Sequence, residues 1–153
     1  MNYTYQLCED GNYTDALQYF DAILRKDPTN IKIIIDKGVT LAHLEKFNGA
    51  IKCYDKALEL DSSDTDALVN KGAALHSLEK YDEAIKCYDS ALAINSKLVL
   101  ALTFKGLSLG ELGMLKEAVL NFDKALAIDD KFDLAINNRQ TALELLKRDK
   151  NHK

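Results

Sequence analysis

The sequence predicts an all-α fold: a stacked array of antiparallel helix pairs with a 34-residue repeat. Three observations carry this. Gly38, Gly72 and Gly106 lie 34 residues apart in matching frames, Asp-Lys-Gly-Val-Thr-Leu, Asn-Lys-Gly-Ala-Ala-Leu and Phe-Lys-Gly-Leu-Ser-Leu. Between them, apolar residues recur at steps of three and four, the spacing of one helical face. Helix breakers are scarce, with one proline and seven glycines in 153 residues. A period of this length marks a helical solenoid, in which each unit buries its apolar face against its neighbours. Such arrays bind other molecules far more often than they catalyse.

Each element follows from the register when the glycine is position 8, so that full units begin at Ile31, Thr65 and Val99. Residues 1–30 hold a partial unit. Tyr13, Ala16, Leu17, Phe20 and Ile23 fall on positions 17, 20, 21, 24 and 27, which predicts a second, or B, helix. Only a short stub of its A helix is expected, near residues 3–9. Units 31–64, 65–98 and 99–132 are complete. Their A helices carry large apolar residues at position 4 (Ile34, Leu68, Leu102), position 11 (Leu41, Leu75, Leu109) and position 14 (Leu44, Leu78, Leu112). Breaks at Glu45-Lys46, Glu79-Lys80 and Gly113-Met114 lead into B helices. There position 20 is always alanine (Ala50, Ala84, Ala118), position 24 always aromatic (Tyr54, Tyr88, Phe122) and position 27 alanine again (Ala57, Ala91, Ala125). Glycine at 8 and alanine at 20 predict a close approach of the paired helices, with the aromatic at 24 filling the space they leave. Asp61-Ser62-Ser63-Asp64, Asn95-Ser96-Lys97 and Asp129-Asp130-Lys131 read as helix stops and N-caps. Residues 133–149 predict a C-terminal capping helix, with Ile136, Leu143 and Leu146 on the apolar stripe, Gln140 at the glycine position, and Asn138, Glu144, Lys147 and Arg148 outward. Together these form one solenoid domain over residues 1–153.

These residues resemble the tetratricopeptide repeat. That family's pattern is large apolar at 4, Leu-Gly at 7–8, aromatic at 11, Ala at 20, aromatic at 24, Ala at 27 and Pro at 32. The chain departs from it at position 7 (Lys37, Lys71, Lys105), at position 11 (leucine) and at position 32, where only Pro28 is proline. The resemblance implies a right-handed α-α superhelix whose A helices line a concave groove for extended peptides or helices of other proteins, through positions 2, 5, 9, 12 and 13. Carried onto this chain, the groove comprises Ile35, Val39, Val69, Ala73, Leu100, Thr103 and Leu107, with His43 and His76 at its edge. The family's groove for acidic C-terminal tails of heat-shock chaperones needs lysine, asparagine and arginine at places held here by Ile35, Val39, Ala73, Leu100 and Phe104. That clamp is absent. An apolar floor favours a hydrophobic peptide or an amphipathic helix; the alternatives are a self-associating homo-oligomer and a piece of a longer solenoid.

Charge and chemistry narrow the classes further. The net charge is −4, and the basic residues Lys147, Arg148, Lys150 and Lys153 sit together at the end. An acidic body disfavours nucleic acid. No apolar run approaches a membrane span, and the N-terminus lacks the basic start and apolar stretch of a signal peptide. Three cysteines, Cys8, Cys53 and Cys87, are an odd count. The last two lie one period apart on helices spaced too widely for a relaxed disulfide, so free thiols and a cytoplasmic location are expected. Position 23, held by Tyr19, Cys53, Cys87 and Asn121, reads as a half-exposed filler on the outer side of helix B. His43, His76 and Cys8 lack a local ligand-pair motif, so no metal is expected. Asp82-Glu83 and Asp129-Asp130 sit at helix starts, where they complement the dipole. With no nucleophile, phosphate loop or zinc spacing, the expectation is a non-catalytic chain without cofactors.

Overall fold

The computed structural model describes residues 12–151, and side chains to residue 149. The predicted stub over residues 3–9 and Cys8 lie outside the described residues. Among the described residues there are eight helices and no strands: α1 (Tyr13–Lys26), α2 (Ile31–His43), α3 (Phe47–Leu60), α4 (Thr65–Ser77), α5 (Tyr81–Ile94), α6 (Val99–Glu111), α7 (Leu115–Ile128) and α8 (Asp133–Asn151). Helices α2, α4 and α6 begin at the three predicted unit starts. The chain forms two compact units, one ending at Leu78 and one beginning at Glu79.

In the first unit α2 packs against α1, α3 and α4, and α3 against α4. Its core is built from Ala16, Phe20, Ile34, Ala50, Tyr54, Ala57, Ala67 and Ala74. In the second unit α6 packs against α5, α7 and α8, and α7 against α8. There Leu102, Leu109, Ala118, Phe122, Ala125, Ala135 and Ala142 form one cluster. The expected close approach is present in both. A methyl group added at Gly38 would lie 2.6 Å from Tyr54 Cε1, and one at Gly106 the same distance from Phe122 Cε1. The aromatic at position 24 therefore packs directly against the glycine of its own unit.

The breaks between A and B helices share one backbone device. Glu45, Glu79 and Gly113, all at position 15, have φ of 56°, 59° and 74°. At Glu45 the following Lys46 N–H donates to Leu41 O at 2.9 Å, and Met114 N–H does the same to Leu109 O. This left-handed C-terminal turn satisfies helix-end carbonyls. The turns from B to A also repeat. Asp27, Asp61, Asn95 and Asp129 each accept, on Oδ1, the backbone N–H two residues ahead, at 3.3, 2.9, 3.0 and 3.1 Å. Asn30 and Asp64 then cap α2 and α4 by accepting from Ile33 N and Ala67 N. Leu98, with the same extended backbone, caps α6 without a side-chain bond. Leu98→Asp is expected to raise stability by about 0.5–1 kcal/mol in chemical denaturation, part of the cap's full worth being offset by lost leucine burial. A fall in stability would show that the half-buried leucine outweighs the missing cap.

A feature the repeat pattern did not announce links each B helix to the next A helix. Lys37 Nζ lies 2.6 Å from Asp21, Lys71 Nζ 2.7 Å from Asp55, and Lys105 Nζ 2.5 Å from Asp89, while Arg139 pairs with Asp123. The basic residue at position 7, which departs from the family's leucine, is thus the partner of an aspartate at position 25 of the preceding helix.

Three expectations are corrected. Position 23 is half-exposed at Cys53 and Cys87 and exposed at Tyr19, as expected, but at Cys53 it borders the A helix instead of an outer side. Cys53 packs into the first unit's core beside Gly38, and Asn121 is buried with its amide donating to Glu117 O at 2.9 Å, because this position faces the A helix. Helix α8 docks through Ala135 and Ala142, whereas Ile136 is 39 % exposed, because no further B helix covers position 4 there. Asn138 is half-buried against the second unit, not on an outward face.

Candidate functional site

Each unit carries a hollow between successive A helices, above the start of the B helix that joins them. In the first unit it measures about 220 Å³. Val39, Ala42 and His43 of α2, Phe47 and Tyr54 of α3, and Asn70, Ala73, Ala74 and Ser77 of α4 line it. In the second unit it measures about 230 Å³, lined by Gly106, Leu107, Gly110 and Glu111 of α6, Leu115 and Phe122 of α7, and Asn138, Thr141, Ala142 and Leu145 of α8. The two sets occupy the same register: positions 9, 12, 13, 17 and 24 of one repeat and 6, 9, 10 and 13 of the next. The hollows exist because positions 12 and 10 carry little or no side chain, leaving the aromatic at 24 as the floor.

Polar groups at the rims are largely committed to their own helices. Asn70 Nδ2 donates to Asp66 O at 2.9 Å, and Asn138 Nδ2 to Leu134 O at 2.8 Å. His43 is stacked on Tyr13, with ring centroids 5.5 Å apart. Burial pushes the Tyr54 phenol well above its ordinary range, with the neighbouring Cys53 adding to the effect, so it stays protonated at any physiological pH. Burial likewise pushes the Cys53 thiol up, against the pull of Lys37, which keeps it unreactive.

The structure brings Val39, Ala73 and His43 together in the first hollow and places Leu107 in the second. Ile35 is half-buried and packs against the first unit's core. Val69 and His76 are half-buried outside the hollow, and Leu100 is 49 % exposed outside the second. Thr103 is fully buried, and its hydroxyl donates to Val99 O at 2.8 Å, so its side chain reaches no surface. Sequence reasoning missed Asn70, Asn138, Phe47 and Leu115. Position 6 recurs as asparagine in α4 and α8, and that recurrence was the available signal. Among the described residues, no three His, Cys, Asp or Glu side chains gather to hold a metal, and no helix is long and apolar enough to cross a membrane.

Comparison with known proteins agrees with this geometry. Tetratricopeptide repeat profiles match residues 65–98 and 100–132, and a TPR repeat profile matches residues 38–79. The chain belongs to the tetratricopeptide repeat family. The matches fall between residues 38 and 132, and the helix-pair solenoid is the fold of this TPR protein. Solved TPR structures superpose on it. A crystal structure of a MamA protein gives a TM-score of 0.81 at 24 % identity, covering 94 % of this chain and 79 % of that one. The first TPR domain of human RPAP3 gives 0.78 at 23 % identity, over 82 % and 99 %. The first TPR of Spaghetti (RPAP3), bound to the HSP90 peptide SRMEEVD, gives 0.74 at 23 % identity, over 76 % and 93 %. No curated protein matches the chain at the sequence level.

Proposed function

We propose that this TPR protein is a non-catalytic protein-interaction module that binds a hydrophobic peptide or amphipathic helix on its A-helix faces. The observation that carries this is the recurrence, in both units, of one hollow with an apolar floor and a polar rim at one register. Repetition of a surface hollow is costly to a packed core, and peptide-length ligands engage successive repeats. The solved relative with an HSP90 peptide holds an acidic segment. Here the places that would grip such a tail carry Ile35, Val39, Ala73, Leu100 and Phe104, which favours apolar anchors over terminal carboxylates.

The test is peptide binding by the folded Val39→Glu/Leu107→Glu variant, with helicity checked by circular dichroism. A carboxylate forced against an apolar anchor costs about 2 kcal/mol, a roughly thirtyfold loss of affinity for library-selected peptides. Unchanged affinity in a folded variant would move the site away from these faces. Self-association is the second reading, favoured by Leu134, Ile136 and Leu145 standing exposed on α8. Sedimentation across a concentration series separates the two, since a strict monomer excludes it.

A further inference from the structure

The two hollows share a register but differ in charge at position 13. His43 stands there in the first unit and Glu111 in the second. Glu111 is exposed, and among the described residues it forms no ion pair and is the single charged residue lining its hollow; no described lysine, arginine or histidine does. The rest of that rim is weighted toward acceptors. Asn138 gives an amide hydrogen to Leu134 O, and the Thr141 hydroxyl gives its hydrogen to Asn137 O at 3.1 Å. The floor is apolar, from Leu107, Leu115, Phe122 and Ala142, and it is open beside Gly110, where an added methyl would meet nothing within 4 Å. At about 230 Å³ the hollow is smaller than the roughly 300–1,000 Å³ of small-molecule sites, so it suits one large apolar side chain.

We propose that the second unit's hollow takes a partner segment in which a large apolar side chain is neighboured by lysine or arginine, with Glu111 setting that preference. This rests on the reading of the A-helix faces as peptide-binding surfaces and adds the partner's charge. The apolar anchor enters over Phe122 beside Gly110. The cation then meets Glu111 and the acceptor oxygens of the rim, where N–H donors are satisfied and carboxylates are repelled. The preference is opposite in sign to that of an acidic-tail groove.

Selection of short randomised displayed peptides on the full chain, wild type and Glu111→Lys, tests it. Lysine or arginine beside leucine, methionine or phenylalanine is expected to be enriched on wild type. On Glu111→Lys the enrichment moves to aspartate or glutamate, and wild-type winners bind on the order of 10-fold more weakly, less so at high salt. Indistinguishable pools, or acidic enrichment on wild type, overturn the inference. Leu107→Glu separates the two readings. If it abolishes binding while Glu111→Lys leaves it unchanged, the peptide surface stands and the charge assignment falls. If winners bind Leu107→Glu as tightly as wild type, or if no peptide is enriched, both fall.

Discussion

Replacing Gly106 by alanine is expected to destabilise the protein, although alanine is the better helix former by about 1 kcal/mol. The added methyl would sit 2.6, 2.9 and 2.9 Å from three ring carbons of Phe122, against roughly 3.5–4.0 Å for relaxed carbon contacts. Phe122 is 2 % exposed and packed among the helices of the second unit, so the ring can move only toward the hollow it floors, giving up its contacts with the core. Overpacking of this kind costs about 1–3 kcal/mol, and a contact this short belongs at the upper end. The net loss is about 1–2 kcal/mol, a fall in Tm of roughly 2–8 °C by calorimetry. Gly110→Ala, in the same helix but with nothing within 4 Å, is the control, and should be neutral or stabilising by up to about 1 kcal/mol. Phe122→Leu should recover part of the Gly106→Ala loss, because the two sites are in contact and their effects do not add. If Gly106→Ala matched or exceeded Gly110→Ala in stability, the ring would not be what holds glycine at position 8.

Phe122→Ala should be the most damaging single truncation in the second unit, at about 3–5 kcal/mol. Its neighbours are the reason. The ring packs directly on Gly106 and shares its cluster with Ala118, Ala125 and Ala142, whose methyl groups cannot reach into the space, as well as with Leu102 and Leu109. A cavity that cannot collapse carries the full cost. Set against a domain stability of about 5–15 kcal/mol, the loss leaves α6, α7 and α8 marginal. Denaturant titration measures it, and faster amide exchange in those three helices localises it. A loss below about 1 kcal/mol would mean that the helices close over the gap.

The helix starts at Ile31, Thr65 and Val99, the alanines and aromatics of the B helices, and the Gly38 and Gly106 contacts were all legible from period and residue size. Those features repeat within one helix or one pair, at spacings a helical wheel exposes. The hollow was legible in part. Val39, Ala73 and Leu107 followed from position 9, but Asn70 and Asn138 belong to the next A helix, and only stacked repeats bring them to the rim. Thr103 was misjudged as accessible because a short β-branched residue can bond its own helix and bury. The pairs Lys37–Asp21 and Lys105–Asp89 were out of reach for a related reason: partners 16 residues apart share no helical face, so lysine at position 7 read only as a missing leucine.

Those ion pairs have a consequence for how the chain can vary. Every B-to-A junction, at α1–α2, α3–α4, α5–α6 and α7–α8, carries the same acid on the leading helix and a base on the following one. Each 34-residue block therefore ends with the donor's mate and opens with the mate's donor. Copying or deleting one whole block in frame, for instance residues 65–98, leaves no charge orphaned at the splice. The chain's length is thus a quantity evolution or an engineer can change in whole steps, with the junction chemistry carried along in the duplicated segment.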